Sequence, residues 1–404
     1  MPTESGMKPA DATTASAAVA DAAEDLLAWR REFPILEHTT YLINNSLGAM
    51  PRGARDGLAV YADAWERRGV RAWHEGWWEM AAEVGDLLAP LLGVAPGHVS
   101  MHPNASVAAG VFFSCFDYPP DRNRIVYTEL NFPTLMYLAE NERRRGAEVV
   151  VVPSHDGIGV PVERLLTAID ERTRLVPISH TYFKSAYVQD AAAVARRCRE
   201  VGAVLLLDVY QSTGAVPLAL EEWGVDAAVG GSVKWLCGGP GAGYLWVDPA
   251  LAAGLEPALT GWQADTEPFA FRRGPIRYAE GAWRFLTGTP NVPALHACAA
   301  GYRIVAGIGA ERIRGRSLAL TGRLMAAARD AGFEVRTPDD PVHRGGTVSI
   351  WHRQAERLCG ELIERQVLCD YRPGAGVRLS PHFYNSEEEC DRAVHLLAEL
   401  AKGS

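Results

Sequence analysis

Val204–Pro217 reads VLLLDVYQSTGAVP, and Gly230–Gly243, a little further on, reads GGSVKWLCGGPGAG. The first is a continuous apolar strand ending on Asp208. The second is a strand, then Lys234, then a turn rich in Gly and Pro. Strands apolar along their whole length are covered on both faces, the pattern of a parallel sheet held between helices. Ligands in such a sheet sit outside the C-terminal ends of the strands, so Asp208 and Lys234 both fall where a site forms. One helix-and-strand crossover separates them, which predicts adjacent strand ends.

Each residue has a plain structural reading when taken alone. An Asp after a strand is often a helix cap, and a Gly-rich turn is often just a turn. Together they say more. A lysine just past a buried strand is desolvated, so its amine is partly neutral and nucleophilic. A carboxylate at the neighbouring strand end can keep a pyridine nitrogen protonated. That pairing is what pyridoxal 5'-phosphate (PLP) requires.

Working outward, short apolar runs recur at Val149–Val152, Leu175–Ile178, Ala227–Val229 and Tyr244–Val247, with helical periods at Val162–Ile169 and Ala191–Val201. Alternating strands and helices predict an α/β fold: a large domain over residues 25–290 with a mostly parallel sheet of about seven strands. Beyond Asn291 a long helical stretch to about Ala331, strands at Thr347–Trp351 and Gly376–Leu379, and a helix over Glu387–Lys402 predict a smaller α+β C-terminal domain, 291–404. Residues 1–24, rich in Ala, Thr, Ser and Asp, read as a disordered tail leading into a helix near Asp25–Phe33.

Composition narrows the partners. Hydrophobic residues are 48% and charged residues 22%, a soluble globular balance, and the net charge of −9 argues against nucleic acid or an anionic membrane as the main partner. The seven cysteines are dispersed, with no C-x-x-C and no metal-ligand spacing. They read as reduced thiols of a cytoplasmic protein, and no metal site is expected.

The segment SVKWLCGGPGAG resembles the cofactor-linking segment of fold-type I, class V aminotransferases, and YLINNSLGAMP (Tyr41–Pro51) is similar to the opening motif of the kynureninase branch. WHEGWW (Trp73–Trp78), NFPT (Asn131–Thr134), Gly261-Trp262 and GVRLSPHFYNS (Gly376–Ser386) continue the resemblance in order over about residues 35–400. The resemblance implies a PLP enzyme, homodimeric with shared active sites, acting on a small-molecule amino-acid substrate. Lys234 would carry the cofactor and act as the catalytic base, and Asp208 and Gln211 would face its ring. Asn104, Ala105 and Ser106 would form the phosphate loop ahead of a helix, an arrangement that physical chemistry independently favours for anions. Phe132 would stack on the ring. Trp262 and Thr289, of TGTPN (Thr287–Asn291), would reach the neighbouring subunit's site. Asn45, Ser46, His74 and Arg378 would bind substrate, with Arg378 as a planar clamp for the α-carboxylate; His74 and Trp77 are expected near the mouth.

Four positions depart from kynureninases: Gln211 stands where they carry His, Val233 where they carry Tyr, Leu135 where they carry Asp, and Gly288 where they carry the Asn that reads the kynurenine side chain. Gln211 and TGTPN look more like cysteine desulfurases and isopenicillin-epimerase-like proteins. None of Cys237, Cys359 and Cys369 follows the desulfurase loop motif, and Cys237 is expected in the cofactor-binding wall. The expectation is therefore a lyase or hydrolase acting on a β-substituted α-amino acid such as a cysteine S-conjugate. A class V aminotransferase or epimerase, a kynureninase-type hydrolase, and decarboxylation-coupled oxidative deamination of an S-conjugate remain open.

Overall fold

The computed structural model describes residues 25–403; the expected tail, 1–24, lies outside the described residues. A helical segment does lie near Asp25–Phe33: residues 25–27 are α-helical and tighten into a 3₁₀ turn, Ala28–Glu32, that stops ahead of Pro34. The main elements follow in chain order: α1 (Arg52–Arg68), β1 (Val99–His102), α2 (Ala105–Phe113), β2 (Arg124–Thr128), α3 (Pro133–Asn141), β3 (Glu148–Val152), α4 (Val162–Ala168), β4 (Thr173–Ser179), α5 (Ala191–Val201), β5 (Val204–Asp208), β6 (Ala227–Gly231) and β7 (Gly243–Val247). The seven strands form one sheet in the order β1-β7-β6-β5-β4-β2-β3. β3, β2, β4, β5 and β6 run parallel, and β7 is antiparallel to both its neighbours, β6 and β1. The mixed α/β architecture with a mainly parallel sheet is the expected one.

The long helical stretch after Asn291 is two helices, α6 (Val292–Ile308) and α7 (Ala310–Asp330). Gly309 separates them at φ +91°, a conformation L-residues avoid. β8 (Glu334–Val335), β9 (Val348–Trp351), α8 (Ala355–Glu364), β10 (Asp370–Arg372), β11 (Gly376–Leu379) and α9 (Glu387–Lys402) follow. Their strands form an antiparallel sheet, β10-β11-β9-β8. α9 begins as expected, capped by Ser386 and Glu389 reciprocally. The N-terminal segment joins the two parts: Thr40–Tyr41 pairs with Val367–Leu368, and α1 packs along α6.

Candidate active site

The parallel strands put their C-terminal ends together, and the residues there line a cavity of about 320 Å³. β4 and β5 are in register with Ser179 opposite Asp208, and Asp208 is also opposite Val229 of β6. β6 continues into the turn that carries Lys234, so the carboxylate of Asp208 and the amine of Lys234 come from adjacent strands. The N-terminal motif closes this turn from the other side, with Gly48 N–H donating to Val233 O at 2.7 Å.

Lys234 points its Nζ between two aromatic faces, 4.3 Å from the centre of the Tyr210 ring and 5.4 Å from that of Phe132. Burial lowers its pKa to about 8, partly opposed by the charge of Asp208. Burial raises the pKa of Asp208, although its Oδ1 accepts from Tyr210 N–H at 2.9 Å. A buried carboxylate in that state favours a cationic partner.

Phe132 is held by its neighbour. Asn131 is buried, donates to Pro177 O at 2.7 Å, and accepts from Thr128 Oγ1 at 2.8 Å, which pins the turn to β4. Pro133 then opens α3, and the Phe132 ring is left 41% exposed beside the cavity. Opposite, Asn104 caps α2, its side chain accepting from Val107 N–H at 2.9 Å. The first backbone N–H groups of α2, at Ala105 and Ser106, thus begin at the cavity wall, and Ser106 Oγ lies 3.0 Å from Thr134 Oγ1.

The aminotransferase class-V family model matches residues 105–392, most of the chain. The chain belongs to this family. It is 32% identical over 398 residues to the kynureninase of Pseudomonas fluorescens, covering 94% of this chain and 93% of that one. It is 30% identical to an uncharacterised aminotransferase, YcbU, of Bacillus subtilis, covering 92% and 96%. Its fold is similar to a cysteine desulfurase of Thermococcus onnurineus (TM-score 0.83, 19% identity, 94% and 98% covered) and to the cystine C–S lyase C-DES, solved with its product cysteine persulfide (TM-score 0.82, 21% identity, 91% and 99% covered).

This class V enzyme is PLP-dependent, and the residues present fit the cofactor. Lys234 offers a largely deprotonatable amine, Asp208 a buried carboxylate in no salt bridge among the described residues, Phe132 an open aromatic face, and the start of α2 a cradle of backbone donors. Gly243 makes that cradle possible. A Cβ there would stand 2.6 Å from Ala105 N and 2.8 Å from Asn104 Cα.

The cavity wall therefore brings together Asn104, Ala105, Ser106, Phe132, Asp208, Gln211 and Lys234. The side-chain amide of Gln211 is already engaged, donating to Asn45 O and accepting from Trp235 Nε1, both at 2.9 Å. Asn45 is thereby tied to the cavity wall, and Ser46 follows it, half-buried. Arg378 is buried on β11, outside the cavity lining, but its charge reaches Lys234. Trp262, Thr289 and His74 are not in this cavity. They line a separate aromatic pocket of about 300 Å³ with Trp73, Trp78 and Phe269. Trp77 does not reach a mouth; it is buried and stacked on Tyr61, ring centres 5.3 Å apart, and its neighbour Trp78 faces the aromatic pocket instead. Cys237 is buried beside a different groove, not in the cavity that holds Lys234 and Asp208, so the expected place in a cofactor-binding wall is not where it lies.

Several lining residues escaped the sequence reading: Tyr210, Ser179, Thr181, Phe183 and Thr134. The signal was present, since Ser179–Phe183 follows an apolar strand just as Asp208 follows another.

Proposed function

We propose that this enzyme is a lyase or hydrolase acting on an α-amino acid with a leaving group at Cβ, such as a cysteine S-conjugate, and not on kynurenine. The observation that carries the reading is Lys234 standing in the cavity with Asp208 on the adjacent strand end. When bound, PLP supplies an electron sink for the bond broken at Cα. Lys234 takes the proton from Cα and returns it, a role suited to an amine with a pKa of about 8. Asp208 holds the ring nitrogen, the start of α2 holds the phosphate, Phe132 packs on the ring, and Arg378 holds the substrate α-carboxylate.

The side-chain reading rests on Gly288. Nothing lies within 4 Å of where its Cβ would stand, so the position offers space and no hydrogen bond. A site built around a side-chain hydrogen bond rejects ligands lacking it by roughly 10⁴–10⁵; here that bond is missing. Sulfur transfer through a protein thiol is disfavoured, because no cysteine among the described residues lines the cavity and burial pushes the Cys237 thiol to about 12.

The enzyme is proposed to be a homodimer. A groove of about 1030 Å³, lined by Leu47, Met50, Pro51, Leu58 and Pro293, leaves Leu47, Met50 and Leu58 exposed, which suits a second copy. Trp262 and Thr289 would then complete the partner's site.

The test is a panel of β-substituted amino acids given to the holoenzyme, following pyruvate, ammonia, alanine and aldehyde by mass spectrometry. Pyruvate and ammonia from an S-conjugate are expected, with borohydride trapping the cofactor on Lys234. Efficient turnover of kynurenine would overturn the assignment.

A further inference from the structure

β10 and β11 form a tight hairpin in which Asp370 and Arg378 are direct cross-strand partners. Both are buried, Arg378 to 2% exposure. Asp370 takes the guanidinium side-on: Nε donates to Oδ1 at 2.7 Å and Nη2 donates to Oδ2, while Nη1 donates to the Phe183 carbonyl. A guanidinium has five N–H donors, so two stay unspent.

Asp370 also reaches two further groups. Arg372 Nη2 lies 3.3 Å from Oδ2, and that side chain is 42% exposed. Asn45 Nδ2 lies 3.5 Å from Oδ1. Asn45 is itself 1% exposed, and its Oδ1 has no hydrogen-bond partner. Exchanging the amide's N and O would turn that oxygen onto a carboxylate oxygen, so the orientation is fixed by repulsion. Two guanidiniums around one carboxylate leave one unit of positive charge, and Asn45 leaves one buried acceptor. The group that satisfies both is a single carboxylate with an N–H or O–H donor close by.

We propose that Asp370 is the positioning residue of the substrate subsite: it sets the free edge of Arg378 and links it to Asn45, so that the subsite takes one carboxylate with an adjacent donor. The proposal rests on Arg378 being the carboxylate clamp. Without Asp370 the guanidinium loses its bidentate anchor and two like charges are left facing each other.

The experiment titrates the PLP-loaded protein with L-alanine and with ethylamine, which is alanine without its carboxylate, and reads the visible band of the bound cofactor. Asp370→Asn should weaken alanine binding by about 30-fold or more, the lower end of the scale for breaking one partner of a buried charge pair, and leave ethylamine binding within about threefold. The Asp370→Asn/Arg378→Gln double variant should bind alanine no worse than Arg378→Gln alone, because Asp370 acts through Arg378. Should Asp370→Asn fail to melt cooperatively, Asp370→Glu carries the same comparison, with a smaller loss confined to alanine. Equal losses for alanine and ethylamine, losses that multiply in the double variant, or unchanged alanine binding in the Asp370 variants would each overturn the proposal. Unchanged alanine binding in Arg378→Gln would instead overturn the clamp itself.

Discussion

The pKa of Lys234 can be tested before any substrate is known. The chain has four lysines, at 8, 184, 234 and 402, so labelling is easily resolved by peptide. Burial takes Lys234 from the ordinary 10.5 to about 8. At pH 7.5 that leaves roughly a quarter of the amine neutral, against about one in a thousand for an exposed lysine. In cofactor-free protein, Lys234 should thus be captured by pyridoxal and borohydride about 200-fold more readily than a free lysine side chain, with a pH midpoint near 8. Asp208→Asn removes the charge that favours the ammonium and should move that midpoint lower. The sign also reaches stability. Between about pH 8 and 10.5 the unfolded chain holds the proton and the folded one does not, so stability of the cofactor-free protein rises with pH across that window. Below pH 8 both states are protonated and the burial cost is fully present. A midpoint near the ordinary 10.5 of a free lysine would refute the argument, as would an upward shift in Asp208→Asn.

Gly243→Ala should push the Asn104–Ala105 turn off the cavity wall and weaken PLP binding by about 10–100-fold, the worth of one or two hydrogen bonds to a charged group, measured by equilibrium dialysis; Gly288→Ala, with open space around it, should leave the melting temperature unchanged. Met50→Glu places a charge in the apolar groove and should shift sedimentation toward monomer at micromolar concentration, with PLP capture on Lys234 retained. Phe132→Ala removes the open ring face and should weaken PLP binding by about tenfold, the upper range for one aromatic contact.

The fold was legible in most strands that are uninterrupted apolar runs, though not in β2, whose Ile125–Tyr127 run is flanked by polar residues. β5, β6 and β7 announce themselves in Val204–Asp208, Ala227–Gly231 and Gly243–Val247 because both their faces are covered. β1 does not, because VSMH alternates in polarity, and its Ser100 and His102 satisfy each other in the interior at 3.0 Å. β8 and β10 are too short and polar for periodicity to register; pairing with β9 and β11 makes them strands. The break at Gly309 was present as a single glycine but weighed less than the helical period on both sides. In the site, Asp208 and Lys234 were readable because strand ends in a parallel sheet are a fixed address. Trp77 and Trp78 were not separable, since adjacent helical-turn residues point in different directions and only packing chooses between them. The partner of Arg378 was invisible for the same reason: hairpin register, not local pattern, sets Asp370 beside it.

The departures from kynureninases have a consistent physical sense. Val233 and Leu135 line the cavity with apolar surface where those relatives are expected to carry a hydroxyl and a carboxylate, and Leu135 is fully buried. Polarity in the same wall comes from other positions: the Ser106–Thr134 hydroxyl pair beside α2, and Tyr210, whose ring lies over Lys234 and whose hydroxyl is pushed to about 12 by burial. A phenol so strongly held neutral is a hydrogen-bond donor throughout the working pH range, not a base. Of these groups only Lys234, with its pKa lowered to about 8, is suited to the proton transfer at Cα proposed for it. On the proposed reading the chemistry at Cα stays with Asp208 and Lys234, while the polar groups around them differ from those expected of kynureninases. That is the arrangement expected of an enzyme that keeps its family's bond-breaking step and applies it to a different side chain.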